Sequence, residues 1–149
     1  MKTKVLAYII RKKNENFELL IHCHRDFPDA GLQVPAGTVE ENEVLEAALF
    51  REIEEESGLN DVKLLQKLDH YVFTNPENNE DHDRHVFVLK AADDTKTSWD
   101  HVITGSGQDR GLVFCYSWHP VMDLPYLSGR QAESLHLLLE LLEDENRAW

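Results

Sequence analysis

The sequence predicts an α/β (or α+β) domain, a mixed central sheet with two helices packed on it. Three observations carry that prediction. Short runs alternate apolar with polar residues between turn-forming residues, which is the pattern of strands. Two longer stretches, 42–57 and 129–144, carry apolar residues at helical spacing. The 149 residues suffice for one core and leave little room for a second, so 1–149 is expected to be a single domain.

The elements follow in order. Residues 4–11, with Val5, Leu6, Tyr8, Ile9 and Ile10, read as a strand. "KNEN" is a turn, and Phe17, Leu19, Ile21 and Cys23 alternate with more polar neighbours as the returning arm of a hairpin. "RDFPDAG" is a loop and "LQVPAG" a short extended piece. Asn42 is placed to cap a helix that runs to about Ser57, with Gly58 as its C-terminal stop. Residues 62–73 have strand character, "TNPENNEDHD" is a polar loop, and 85–91 form another strand. Residues 92–111 read as a long, irregular connection, followed by a strand over 112–118. Ser128 and Gln131 have the spacing of a capping box for a leucine-rich helix over 129 to about 144.

Composition bounds the function. Apolar residues at 42% and charged residues at 29% indicate folded globular material. No run of about 18 apolar residues is present, so no membrane span is expected. "MKTKVLAYII" lacks a small-residue cleavage site and reads as a first strand, not a signal peptide. Cys23 and Cys115 each lie in an apolar run, consistent with two buried thiols in a reducing compartment, and the expected location is cytoplasmic. The net charge of −13 disfavours nucleic acid and anionic membranes as partners. Residues 37–59 hold eight glutamates against one arginine, a net of −7, so more than half of the excess sits in one segment.

That segment places its charge oddly. On a wheel at about 100° per residue, Leu45, Ala48 and Leu49 share one sector, and Glu52, Glu55 and Glu56 continue it. Glu43 and Glu54 fall on the other side. The stripe facing the protein body is thus apolar in its first half and acidic in its second. Clustered carboxylates resist desolvation and repel one another. A hard divalent cation such as Mg²⁺ or Mn²⁺ resolves both problems and keeps coordination positions for a phosphate. A glutamate run on a helix is also commonly a solvated face, and its position on the apolar sector argues against that here. "PAGTVE" before the helix is a bend whose carbonyls can meet the same ion.

Gly37, five residues, Glu43, seven residues and then "REIEEESGL" resembles the box of the Nudix family, G-x5-E-x7-R-E-U-x-E-E-x-G-U with U aliphatic. Gly37, Glu43, Arg51, Glu52, Ile53, Glu55, Glu56, Gly58 and Leu59 occupy its nine constrained positions. The resemblance implies an α/β/α sandwich with a loop-helix-loop that holds Mg²⁺ or Mn²⁺. It implies metal ligands at Glu52, Glu55, Glu56 and the carbonyl of Ala36, with Arg51 holding the carboxylates by ion pairing. Glu43 is then structural or a weaker metal contact. The implied activity is metal-dependent pyrophosphohydrolysis of a nucleoside diphosphate linked to another moiety. ADP-ribose-like compounds, sugar nucleotides and (d)NTPs all remain open, because Pro76, seventeen residues after Leu59, is out of register with the nearest subfamily marker. The alternative is a nucleotide-binding or sensor module without turnover. The base that activates water is either Glu52 or a loop acid, with Asp109 and Asp100 the candidates. The expected partner is a small-molecule nucleotide, and a homodimer is left open.

Arg25, ending the second strand, is either a phosphate contact or simply exposed. Phe27, Tyr71, Phe73 and Trp99 are either core or base-stacking residues. "EDHDRH" has the look of a zinc site but reads better as a hairpin loop at the substrate mouth.

Overall fold

The structure is a computed structural model that describes residues 1–144. Along the described chain run β1 (Lys2–Lys13), β2 (Asn16–His24), β3 (Ala36–Thr38), α1 (Leu45–Ser57), β4 (Lys63–Thr74), β5 (Asp81–Lys90), β6 (Ser98–Val102), β7 (Val113–Pro120) and α2 (Leu135–Leu142). The strands form a seven-stranded sheet in the order β4-β5-β1-β2-β7-β6, with β3 also paired to β1. β1 runs parallel to β5 and antiparallel to β2 and β3, so the sheet is mixed.

Strand β1 shows why the sequence takes this form. Val5, Ala7 and Ile9 point to one face and meet Ala48, Leu49 and Ile53 of α1. Leu6, Tyr8 and Ile10 point to the other and meet Leu138 and Leu141 of α2. A strand covered on both faces must be apolar at successive positions, which accounts for the unbroken run "VLAYII". The two helices on opposite faces make an α/β/α sandwich. Among the described residues no helix is long and apolar enough to cross a membrane.

Four expectations need correction. Asn42 does not cap α1: it has φ of 63° in a turn, and the helix starts after Val44 without a side-chain cap. Ser128 and Gln131 do not form a capping box, and the helix expected from residue 129 begins only at Leu135. A short 3₁₀ turn covers Ser128–Arg130, and the Gln131 side chain instead accepts the Val34 N–H at 2.7 Å. Residues 92–111 are not wholly irregular, since β6 lies within them as an edge strand. Asp81 to His85 are not a loop, because β4 and β5 stay paired out to Thr74 and Asp81.

Candidate active site

The register of β3 on β1 sets one wall of the site. Bonds from Ala7 N–H to Pro35 O and from Val39 N–H to Thr3 O, each 2.9 Å, flank the Val5–Gly37 pair. Residues between such bonded positions turn their N–H and C=O away from the partner strand. Ala36 and Thr38 are those residues. Ala36 N–H donates to Glu56 Oε1 at 3.1 Å, and its carbonyl is directed to the same side. The Thr38 carbonyl accepts from Arg51 Nη2 at 3.0 Å.

Helix α1 delivers the carboxylates to this wall. Glu54 is exposed, Glu52 and Glu55 are half-buried, and Glu56 is buried, as the wheel predicts. Arg51 lies among them. Its Nε and Nη2 grip Glu43 at 2.8 and 2.9 Å, and its Nη1 meets Glu52 at 2.9 Å and Glu55 at 3.3 Å. The planar fork of a guanidinium suits such paired carboxylate contacts. Two glycines let backbone close on the cluster. A Cβ on Gly37 would stand 1.9 Å from Glu52 Cδ, and one on Gly105 would stand 2.5 Å from Glu55 Cδ.

The last turn of α1 is fixed from the β6–β7 side. Helix ends leave carbonyls without partners. Here the Glu55 carbonyl accepts from Thr104 N–H at 3.1 Å and lies 3.0 Å from His101 Nε2. The Glu56 carbonyl accepts from Tyr116 at 2.8 Å, and the Ser57 carbonyl from the Trp99 indole at 2.9 Å. Gly58, at φ of 81°, closes the helix onto the Glu54 carbonyl. Trp99 also stacks on Tyr116, with ring centroids 5.1 Å apart. Its contacts are therefore those of a helix anchor.

A cavity of about 630 Å³ opens over Ala36, Gly37, Arg51, Glu52, Glu55 and Glu56. Lys2, Lys4, His82 and Arg84 also line it, with Lys4 donating to Thr38 Oγ1 at 2.5 Å, and exposed Asp109 and Arg110 lie on a loop beside it. Arg84 is held by the Gly129 carbonyl at 2.7 Å and by the Phe73 ring, whose centroid is 3.8 Å from its guanidinium carbon. Arg25 is not among the lining residues and pairs with Asp26 in the open. Asp100 lines a separate cavity of about 500 Å³ with Trp99 and His101. Phe27 is exposed and Phe73 is buried.

Burial opposes ionisation of the two deeper carboxylates, and Arg51 offsets this only in part, at Glu52. Burial raises the Glu56 carboxyl well above the ordinary range, and the charges of Glu52, Asp109 and Glu55 add to that. Burial also raises Glu52, against the opposing pull of Arg51. Burial lowers Lys4, and neighbouring Lys2 lowers it further. Glu43 behaves oppositely: its bonds to Arg51 bring it down to about 2. A depressed carboxylate contributes stability above its unfolded value, near 4.5, that is lost as pH falls toward 2. Glu43→Gln should therefore lower the melting midpoint at neutral pH, and the deficit should close through that acid window. Melting curves over the pH series check this.

The donor set suits a hard divalent cation. It consists of carboxylate oxygens and a backbone carbonyl, and the glycines leave room beside them. Lys4, Arg84 and Gly105 were missed from sequence. The signal for Lys4 is that Lys2 and Lys4 extend the sheet face of Leu6, Tyr8 and Ile10, placing two cations on an otherwise apolar stripe. Gly105 and Arg84 carry no local signal, because what they approach is distant in sequence.

The α/β/α sandwich and its glutamate helix define a class, and comparison with known proteins assigns it. The NUDIX domain matches residues 2–141, and the chain belongs to that family. Membership places it among hydrolases that act on pyrophosphate bonds. Among solved structures, an Ap4A hydrolase binary complex from C. elegans is 14% identical with a TM-score of 0.71, over 95% of this chain and 98% of that one. A UDP-X diphosphatase is 20% identical with a TM-score of 0.64, over 95% and 62%. A MutT NUDIX hydrolase from Burkholderia pseudomallei is 23% identical with a TM-score of 0.65, over 92% and 97%. No curated protein matches the chain.

Proposed function

We propose that this protein is a metal-dependent pyrophosphohydrolase whose substrate is a nucleoside diphosphate linked to another moiety. The observation that carries the reading is the convergence of Glu52, Glu55 and Glu56 with Ala36 on one cavity that Lys4 and Arg84 also line. Mg²⁺ or Mn²⁺ held by those four ligands would neutralise the pyrophosphate and acidify the attacking water. Lys4 and Arg84, which line the same cavity, bind phosphate oxygens and so offset the protein's net charge of −13. Arg51 keeps the carboxylates apart and aimed. His24 and Phe114, with ring centroids 4.3 Å apart, give the cavity an aromatic surface for a nucleobase. Solved structures of similar fold include an Ap4A hydrolase and a UDP-X diphosphatase, which supports a nucleotide with a phosphoanhydride as substrate.

Asp109 is the better candidate for the base. Glu52, Glu55 and Glu56 are committed as ligands in this reading, whereas Asp109 is exposed at the cavity rim and its charge reaches both Glu56 and His24. General-base catalysis contributes typically 10²–10⁴-fold, so Asp109→Asn should lower kcat by about that factor. A wild-type rate in Asp109→Asn would move the role to Glu52. The functional reading is tested by a phosphate-release screen over ADP-ribose, sugar nucleotides, dinucleoside polyphosphates and (d)NTPs with Mg²⁺ or Mn²⁺. Turnover of one class supports it, and binding without turnover of any class would leave a nucleotide sensor.

A further inference from the structure

Strand β5 alternates its side chains. His82 and Arg84 line the catalytic cavity, so Asp83 and His85 point to the other face of the sheet. There the register sets His70 of β4 directly opposite His85. The two imidazoles stack with centroids 3.9 Å apart. Both turn Nε2 to one carboxylate: His70 Nε2 lies 2.5 Å from Asp83 Oδ1, and His85 Nε2 lies 3.2 Å from Asp83 Oδ2. One ligand atom from each of the three residues falls within 4.8 Å of the others.

We propose that His70, Asp83 and His85 form a second metal site, which takes a borderline transition cation of the zinc type. The donor chemistry separates it from the glutamate cluster. Two imidazoles and a carboxylate suit Zn²⁺, Cu²⁺ or Ni²⁺, whereas an all-oxygen set suits Mg²⁺ and Mn²⁺. Bonds of about 2.0–2.1 Å at tetrahedral angles put ligand atoms roughly 3.4 Å apart. The two contacts to Asp83 therefore need to open by less than about 1 Å as the cation replaces the shared protons, with all three ligand atoms already within 4.8 Å of one another. The ligands sit on paired strands, and buried His85 is held in place by its surroundings. Three protein ligands leave the outer coordination positions to water.

One neighbour opposes binding. Lys67 Nζ lies 2.7 Å from His85 Nδ1, where a metal-bound imidazole needs an acceptor for its remaining N–H. Lys67 is exposed and can turn into solvent. Removing its charge should tighten the site, so Lys67→Gln is predicted to bind zinc more strongly than wild type. A bound cation would clip edge strand β4 to β5, the strand whose other face presents His82 and Arg84 to the catalytic cavity.

The test is a competition titration of the full chain against a chromophoric zinc chelator, with excess Mg²⁺ present throughout. Zinc affinity should fall by about 10-fold or more in His70→Ala and in Asp83→Asn, and stay within twofold or so in Glu56→Gln. His70 is half-exposed, so its loss does not endanger the fold as His85→Ala could. Co²⁺ added to wild type should give the intense visible bands of a low-coordinate nitrogen-containing site, absent from His70→Ala. Equal zinc affinity in wild type and His70→Ala, or loss of zinc only in Glu56→Gln, would overturn the proposal. Failure to bind zinc at micromolar free concentration would do the same.

Discussion

Glu56→Gln should lower kcat/KM by roughly 10³-fold or more, while Glu54→Gln should leave it within about twofold. Several kcal/mol of transition-state stabilisation is the expected scale for removing a ligand to the catalytic metal, and each 1.4 kcal/mol or so is a factor of ten. The two residues are separated by half a helical turn. Glu54 faces solvent, whereas Glu56 is buried against the Ala36 N–H in the cavity wall. Gln keeps an oxygen for that N–H, so the fold should survive and the loss should be chemical. Glu52→Gln should behave like Glu56→Gln. Steady-state kinetics on the best substrate from the screen decide the matter, and equal losses at Glu54 and Glu56 would contradict the assignment.

The same substitution should raise the melting midpoint of the metal-free protein, and the gain should grow with pH. The folded state holds the Glu56 carboxyl well above the ordinary value of 4.5, chiefly by burial. A carboxyl raised in this way contributes stability fully below its unfolded value and loses it as pH rises through the folded one. Metal-free wild type is therefore destabilised from about pH 4.5 upward, by about 1.4 kcal/mol per pH unit until the folded-state titration is passed. Gln has no proton to lose and escapes this cost. Each 1 kcal/mol or so moves the midpoint by roughly 2–5 °C in a domain of this size. Near pH 4 the two proteins should melt together, and near pH 8 Glu56→Gln should melt higher. Mg²⁺ or Mn²⁺ should then reverse the order, since a ligand at a hundred times its dissociation constant adds about 2.7 kcal/mol to the protein that binds it. A Glu56→Gln that melts lower in chelator at pH 8 would make the glutamate structural.

The carboxylate wall was legible in the sequence because it is local. Gly37 to Leu59 is one contiguous segment, and the phase of a helix is readable from spacing alone. What escaped was set by distant contacts. Gln131 looks like a cap from its neighbours, but the Val34 N–H claims its side chain and the Tyr8 hydroxyl its carbonyl. β6 reads as loop because "SWDHV" faces solvent on one side and spends its other side on Trp99 and His101, which bond the end of α1. Asp81 to His85 read as loop because their strand continues past its apolar run, and the partners that satisfy buried Arg84 and His85 there, the Gly129 carbonyl and Lys67, lie far away in sequence. The cavity-lining Lys4 and Arg84 come from two strands that are neighbours only in the folded sheet.

Hydrolysis in ¹⁸O-enriched water, run in parallel with Mg²⁺ and with excess chelator, tests the central claim most directly. The account predicts turnover only with the metal, and label in one of the two phosphate-containing products. Unchanged turnover in chelator, or label in neither product, would contradict it.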